Sequence, residues 1–139
     1  MKFLTVYFGN KKIENEEIVD LKEVQHKPNI KFNIPAGKFY TILMVDPDAP
    51  SREHPNNKYW LHWMVVNNYD TIMNFEPSNP RLGTGEHRYY IWVLEQQKEI
   101  KVPKYSRQKF PVQQFIDNYK LKTIAGVMYK TERKANKKN

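Results

Sequence analysis

The fold is decided by the run Phe39-Tyr40-Thr41-Ile42-Leu43-Met44-Val45, which leads directly into Asp46-Pro47-Asp48-Ala49-Pro50-Ser51-Arg52. An uncharged, mostly apolar run of this length is typical of a β-strand that is covered on both faces. The two prolines end the strand, because proline cannot donate a hydrogen bond to a central ladder. Two carboxylates and a hydroxyl at the end of a buried strand therefore predict one wall of a polar pocket.

Further strands and one helix are predicted on both sides of this run. Short strands are predicted over 3–8, 30–34, 59–66, 87–95 and 121–129, and the Asn-, Pro- and Ser-rich segment 67–81 is predicted to be a loop. The helix is predicted over 111–119, with Pro111 in its first turn and apolar residues at i, i+3, i+4 and i+7: Val112, Phe115, Ile116 and Tyr119. About seven short strands and one convincing helix indicate a mostly β protein, an antiparallel β-sandwich with one or two short helices.

Composition places the chain in one domain with a basic tail. A length of 139 residues suits a single domain, predicted here over residues 1–129, and the absence of cysteine excludes disulfides and thiolate chemistry. The net charge is +8, but the last ten residues hold five basic side chains against Glu132, which is +4 of that excess. Residues 130–139 are therefore predicted to be a disordered tail, with at most weak contact to anionic membrane or nucleic acid. The N-terminal apolar run is too short for a signal peptide, so we expect a cytoplasmic protein. We also expect it to be a monomer.

Two histidines lie on predicted strands near this pocket wall. Alternation along 59–66 predicts that Trp60, His62, Met64 and Val66 share one face, and alternation from residue 87 does the same for His87, Tyr89, Ile91 and Val93. His62 alone is typical of a satisfied core histidine. With Asp46 and His87 converging, it is better interpreted as part of one site assembled from three segments.

Two motifs in this sequence resemble the signatures of the phosphatidylethanolamine-binding protein family, which includes the Raf kinase inhibitor proteins. The first is Asp46 to Arg52 followed by Trp60-Leu61-His62-Trp63, and the second is Gly83-Thr84-Gly85-Glu86-His87-Arg88-Tyr89. The resemblance extends from about Phe3 to about Lys130. It implies a β-sandwich whose small cavity binds anions such as the phosphoethanolamine head group of a phospholipid or another phosphorylated small molecule, without catalysis or a cofactor. It also implies a protein kinase or a protease as a regulated partner.

The resemblance also assigns residues to the cavity. Its walls would be Asp46, Trp60, His62, His87 and Tyr89, with the segment from Pro80 to Gly83 at the rim. The chain differs in having a basic tail where the family has a C-terminal helix, which predicts a more open pocket.

The chemistry of a phosphate gives each of these residues a role. The imidazoles of His62 and His87 and the hydroxyl of Tyr89 would donate hydrogen bonds, and Gly83 and Gly85 would let backbone amides approach the anion. Asp46 would orient a histidine or its charge, or face an ammonium group. Asp48 and Ser51 are expected to support the proline-rich turn, and Arg88 to pair with a carboxylate such as Asp48.

Two other classes of function are compatible with the sequence. A metal-dependent hydrolase could use Asp46, Asp48, His62 and His87 to hold zinc or iron, although no His-x-His or His-x-x-x-His pair supports it. A Ser51 nucleophile would lack the turn that exposes such a serine. An RNA-binding or membrane-surface protein driven by the basic tail is the third class.

Overall fold

A computed structural model describes residues 1–135 of the chain. Its strands are β1 (Lys2–Phe3), β2 (Thr5–Phe8), β3 (Lys11–Lys12), β4 (Glu17–Ile18), β5 (Asn29–Lys31), β6 (Phe39–Asp46), β7 (Trp60–Val66), β8 (Asp70–Met73), β9 (His87–Gln96) and β10 (Lys122–Thr131). A short 3₁₀ helix covers Leu21–Val24, and the α-helix, α1, covers Val112–Asn118. Within residues 1–135, no helix is long and apolar enough to cross a membrane.

The strands form two sheets that pack face to face. The large sheet has the order β1-β10-β9-β6-β7-β8, with β4 also paired to β10, and the small sheet has the order β3-β2-β5. The core between them holds Val6 and Phe8 from the small sheet against Met44, Tyr89 and Ile91 from the large one. The predicted mostly β sandwich is confirmed, and most pairs in the large sheet are antiparallel.

The opposite face of the large sheet packs against α1 and the segment before it. Leu43, Val45 and Leu61 contact Phe110 and Phe115 there, which buries both faces of β6 as its apolar run predicts. The predicted helix is also confirmed, since α1 begins at Val112 and buries that residue together with Phe115. This second core holds the end of β6, and with it Asp46, in a fixed position.

The predicted loop over 67–81 is wrong for residues 70–73, which form β8 and pair with β7. The hairpin turns at Asn67 and Asn68, whose φ angles are +54° and +71°. Asparagine tolerates this left-handed region better than most residues, so the paired asparagines were the overlooked turn signal. The Asn67 side chain bonds Ile100 N and O at 2.9 and 2.8 Å, which ties the turn to the next connector.

The predicted alternation along β7 is wrong beyond His62. Met44 pairs with Trp63 and Val45 with Leu61, so His62 is the extra residue of a β-bulge. The bulge reverses the alternation: Trp63 joins the core between the sheets, whereas Met64 packs on the opposite face with Leu61. His62 nevertheless contacts Tyr89, which lies on the face towards the small sheet.

The last strand continues beyond the predicted domain end at residue 129. β10 runs to Thr131, which is fully buried and donates from Oγ1 to Val19 O at 2.7 Å. Lys130 is therefore a strand residue paired with Arg88, because the backbone ladder with β9 continues through it. The predicted disorder of the tail falls in part on residues 136–139, which lie outside the described residues.

Candidate functional site

A cavity of about 370 Å³ opens where β6, β7 and β9 meet the segment 76–82. Its lining consists of Asp46, Ala49, Pro50, Trp60, His62, Glu76, Asn79, Pro80, Arg81, Leu82, His87, Tyr89 and Arg133. Six of the eight residues predicted to bind a ligand therefore line one cavity. Gly83 and Gly85 lie in the adjoining turn with φ of +83° and +76° but do not line the cavity, so the role of their amides stays a prediction.

Asp46 and His87 form a buried pair at the base of the cavity. Asp46 Oδ2 lies 2.8 Å from His87 Nδ1, and each side chain is almost fully buried. The hydroxyl of Thr84 gives its proton to Arg81 O at 2.6 Å, so its oxygen accepts from His87 Nε2 at 2.9 Å. Both ring nitrogens of His87 are therefore engaged within the protein, one with Asp46 and the other with Thr84.

His62 presents a ring nitrogen to the cavity. Nδ1 lies 2.7 Å from Glu76 O, and a carbonyl can only accept, so Nδ1 carries the proton. Burial lowers the pKa of His62, which favours the neutral ring, while Glu76 O and the charge of Asp46 oppose that shift. Nε2 has no hydrogen-bond partner among the described residues. This nitrogen can accept a proton when an anion enters.

Tyr89 forms the apolar floor between the two histidines. Its ring is stacked on His87 with centroids 6.3 Å apart and on Tyr129 at 5.3 Å, and it meets the edge of His62 at 5.3 Å. Burial, reinforced by the nearby Asp46 charge, strongly raises the pKa of Tyr89. Its hydroxyl therefore stays protonated across the ordinary pH range and is able to donate a hydrogen bond.

Glu76 and Arg107 hold the wall that carries Trp60 and His62. Glu76 accepts from Trp60 Nε1 at 2.9 Å and lies 3.1 Å from Arg107 Nε. Arg107 also donates from Nη1 to Leu61 O and His62 O, at 2.9 and 3.1 Å. One guanidinium thus fixes both the β-bulge and the carboxylate beside it, and neutralises the charge of that carboxylate.

The predicted supporting residues lie behind the cavity. Arg88 donates to Asp48 from its backbone N, Nε and Nη2 at 2.8, 3.0 and 2.7 Å. Ser51 Oγ accepts from His54 N at 3.0 Å within the turn. Neither Asp48 nor Ser51 lines the cavity.

The four ligands suggested for a metal-dependent hydrolase do not converge. The carboxylate of Asp48 is occupied by Arg88, and among residues 1–135 no group of three His, Asp or Glu side chains is arranged to hold a metal ion. The sequence pattern misled here because Asp46 and Asp48 are two residues apart, but the turn between them directs their carboxylates to different partners.

Sequence reasoning covered Arg81 and Leu82 through the predicted rim segment from Pro80 to Gly83, but it missed other residues of the lining. Glu76 and Arg133 had no such signal, because Glu76 lies in a predicted loop and Arg133 in the predicted tail. Arg133 donates to Pro80 O at 3.1 Å and to Asn79 Oδ1 at 2.7 Å, contacts that span more than fifty residues of sequence.

The fold and this cavity define a small β-sandwich protein with a cavity at the end of its central strands. A family model described as phosphatidylethanolamine-binding protein matches residues 9–71. A homologue of that name from Acanthamoeba polyphaga mimivirus is 39% identical over 137 residues, which cover 92% of this chain and 96% of the relative. The chain belongs to the phosphatidylethanolamine-binding protein family.

Solved structures agree with this assignment. The phosphatidylethanolamine-binding protein of Plasmodium vivax is 25% identical with a TM-score of 0.77, over 94% of this chain and 84% of the other. A carboxypeptidase Y inhibitor, solved in complex with its cognate proteinase, is 17% identical with a TM-score of 0.84, over 94% and 82% of the two chains. The second likeness shows the shared fold alone.

Proposed function

We propose that this protein is a non-enzymatic binding protein whose cavity holds the phosphate of a phosphorylated head group, of which phosphoethanolamine is the model. The observation that carries the proposal is the convergence of cationic and donor groups on one cavity of about 370 Å³. A phosphate monoester carries about −1.5 to −2 charge near pH 7 and has three strong acceptor oxygens.

The roles of the two histidines differ in this proposal. His87 is held in place by Asp46 and Thr84, which engage both of its ring nitrogens, and its ring forms part of the wall of the phosphate site. His62 supplies the hydrogen bond, because Nε2 is unpartnered among residues 1–135 and becomes a donor on taking up a proton. Tyr89 adds a neutral hydroxyl, because burial raises its pKa and keeps it protonated.

Calorimetric titration with phosphoethanolamine tests the proposal. His87→Ala is expected to abolish measurable binding, and Tyr89→Phe to weaken it about fivefold, because one hydrogen bond is lost without a change of shape. His26→Ala is the matched control, since His26 is exposed and lies outside the cavity. Circular dichroism checks that each variant is folded. Equal binding by the wild type and His87→Ala would refute the proposed site.

The partners expected beyond a small phosphate stay predictions. The carboxypeptidase Y inhibitor motivates a test for protease inhibition, but its likeness to this chain is one of fold. Incubation of the protein with carboxypeptidase Y and a chromogenic peptide tests that prediction, and undiminished hydrolysis would contradict it. Kinase regulation and weak binding of the basic tail to membrane or nucleic acid rest on the sequence alone.

A further inference from the structure

Two guanidinium groups line the mouth of the cavity without a balancing carboxylate. Arg81 and Arg133 both belong to the lining. Within residues 1–135, no Asp or Glu oxygen lies within 4.0 Å of either guanidinium, whereas the other charges of the cavity are paired. Asp46 is hydrogen-bonded to His87, and Glu76 is paired with Arg107. Arg81 and Arg133 therefore contribute two positive charges to the lining without a carboxylate partner in the described part of the chain.

Arg133 is held in position by the opposite rim. Its Nε donates to Pro80 O and its Nη2 to Asn79 Oδ1, although the residue itself is exposed and follows the end of β10. These contacts restrict the side chain of Arg133 before an anion binds. Arg133 therefore loses less side-chain entropy on binding than an unrestrained arginine would. A fixed guanidinium at the mouth is suited to bidentate contact with phosphate oxygens.

The number of these charges bears on the class of ligand. A phosphate monoester approaches two negative charges at neutral pH, whereas a phosphodiester carries one, and a phosphodiester of ethanolamine is zwitterionic with no net charge. Two arginines without carboxylates match the monoester. Because Glu76 is paired with Arg107, the two arginines are the charges of the lining that have no carboxylate partner among the described residues and that can distinguish these ligands.

We propose that Arg81 and Arg133 make the cavity selective for a terminal phosphate monoester over a phosphodiester. This inference rests on the proposed function and narrows it, because it excludes the diester of an intact phosphatidylethanolamine as the preferred ligand. The shared chemistry is a terminal phosphate, which a soluble ester and a phosphatidic acid head group both present.

Competition between two small probes tests the inference. Glycerol 3-phosphate supplies the monoester and glycerophosphoethanolamine the diester, both titrated by calorimetry at pH 7.5 and constant ionic strength. We expect the wild type to bind the monoester at least about tenfold more tightly, since a charge-assisted contact is worth roughly that factor. Arg133→Gln and Arg81→Gln should each lower this ratio several-fold. Arg133→Lys should keep most of it, because the charge remains.

Lys134→Gln is the matched control for Arg133→Gln. It removes one positive charge from the next residue of the chain, and Lys134 does not line this cavity. A ratio near one in the wild type, or an equal change of the ratio in Arg133→Gln and Lys134→Gln, would overturn the inference. If both probes bind with a ratio near one, and His87→Ala abolishes the binding of both, the inferred selectivity is refuted but the proposed function stands. If neither probe nor phosphoethanolamine binds, both the selectivity and the proposed function are refuted.

Vesicles distinguish the two sources of a terminal phosphate. Cosedimentation uses phosphatidylcholine vesicles that contain phosphatidic acid. If Arg133→Gln weakens vesicle binding more than Lys134→Gln does, the inference is supported and the ligand is a lipid. If the two variants bind vesicles equally and the wild type binds glycerol 3-phosphate tightly, the inference is supported and the ligand is a soluble ester.

Discussion

Replacement of Arg88 by glutamine is expected to destabilise the protein, and replacement of Arg52 is not. Both arginines approach the same carboxylate, that of Asp48, which is almost fully buried. Arg88 gives it two side-chain hydrogen bonds of 3.0 and 2.7 Å, whereas Arg52 Nε lies 4.0 Å away on a side chain that is 51% exposed. Comparison of the two variants therefore measures two ion pairs of the same carboxylate: a partly buried, bidentate pair with Arg88 and a distant, exposed pair with Arg52.

The magnitude follows from what Arg88→Gln leaves behind. Breaking a buried ion pair by removing one partner costs about 3–5 kcal/mol, because the remaining charge is buried without compensation. Arg88 is itself 32% exposed, and its backbone N–H bond to Asp48 survives the substitution. We therefore expect a loss of about 2–3 kcal/mol, which is a fall in Tm of roughly 6–10 °C for a domain of this size. Arg52→Gln should cost less than about 0.5 kcal/mol.

The pH dependence of this loss provides a second measurement. Burial alone would raise the pKa of Asp48, but the hydrogen bonds and charge of Arg88 outweigh it and hold the pKa below 3.8. A carboxylate with a lowered folded-state pKa stabilises the protein above its unfolded pKa, and that stability is lost as pH falls through the folded pKa. The difference between wild type and Arg88→Gln should be largest near pH 7 and shrink below about pH 4.

Urea denaturation at pH 7 and pH 3.5 measures both effects, with the slope of the transition compared between variants. Equal costs for Arg88→Gln and Arg52→Gln would refute the assignment of the pair to Arg88. A difference that does not change between the two pH values would show that the charge of Asp48 is not its source.

Three further predictions concern the site and the sheet. Burial lowers the pKa of His62, and a bound anion would favour its protonated form. Calorimetry should therefore show that sulfate binds about fivefold more tightly at pH 6 than at pH 8. The same dependence of affinity on pH in His62→Asn would contradict this prediction. Arg107→Ala should lower stability by about 2 kcal/mol in urea, since it removes the bonds to the β7 bulge and to Glu76, and an unchanged midpoint would oppose that role. Gly126→Ala places a Cβ 2.7 Å from Trp92 Cδ1 and should lower the free energy of unfolding by about 1–3 kcal/mol, measured by thermal denaturation. The additional substitution Trp92→Leu should reduce that loss, and an undiminished loss in the double variant would contradict the steric explanation.

Much of the fold was predictable because its signals are local. The uncharged run of β6 indicated a strand covered on both faces, and the strict alternation from His87 placed Tyr89, Ile91 and Val93 in one core. The spacing of apolar residues from Val112 likewise indicated α1. The hairpin of β7 and β8 was missed because the segment is polar and proline-rich, which is typical of a loop. The turn signal of its two asparagines, which adopt positive φ, was not recognised.

Part of the candidate site was also accessible from the sequence. The two motifs brought Asp46, His62 and His87 into one hypothesis, and in the structure they line one cavity. The different hydrogen-bond partners of the two histidines were not accessible. They depend on Thr84 Oγ1 at one ring and Glu76 O at the other, and which acceptor a ring meets is a matter of packing.

By itself, the sequence determined the strand and helix periods, the family motifs and the order in which polar residues reach the strand ends, because each is a property of neighbouring residues. The tertiary structure alone decided the register shift that makes His62 a bulge residue, since a bulge exists only relative to the paired strand. It also decided that Arg133, beyond the last strand, meets Asn79 and Pro80 at the mouth of the cavity. Such contacts join residues far apart in the chain, and only the packed sheets bring them within hydrogen-bond distance.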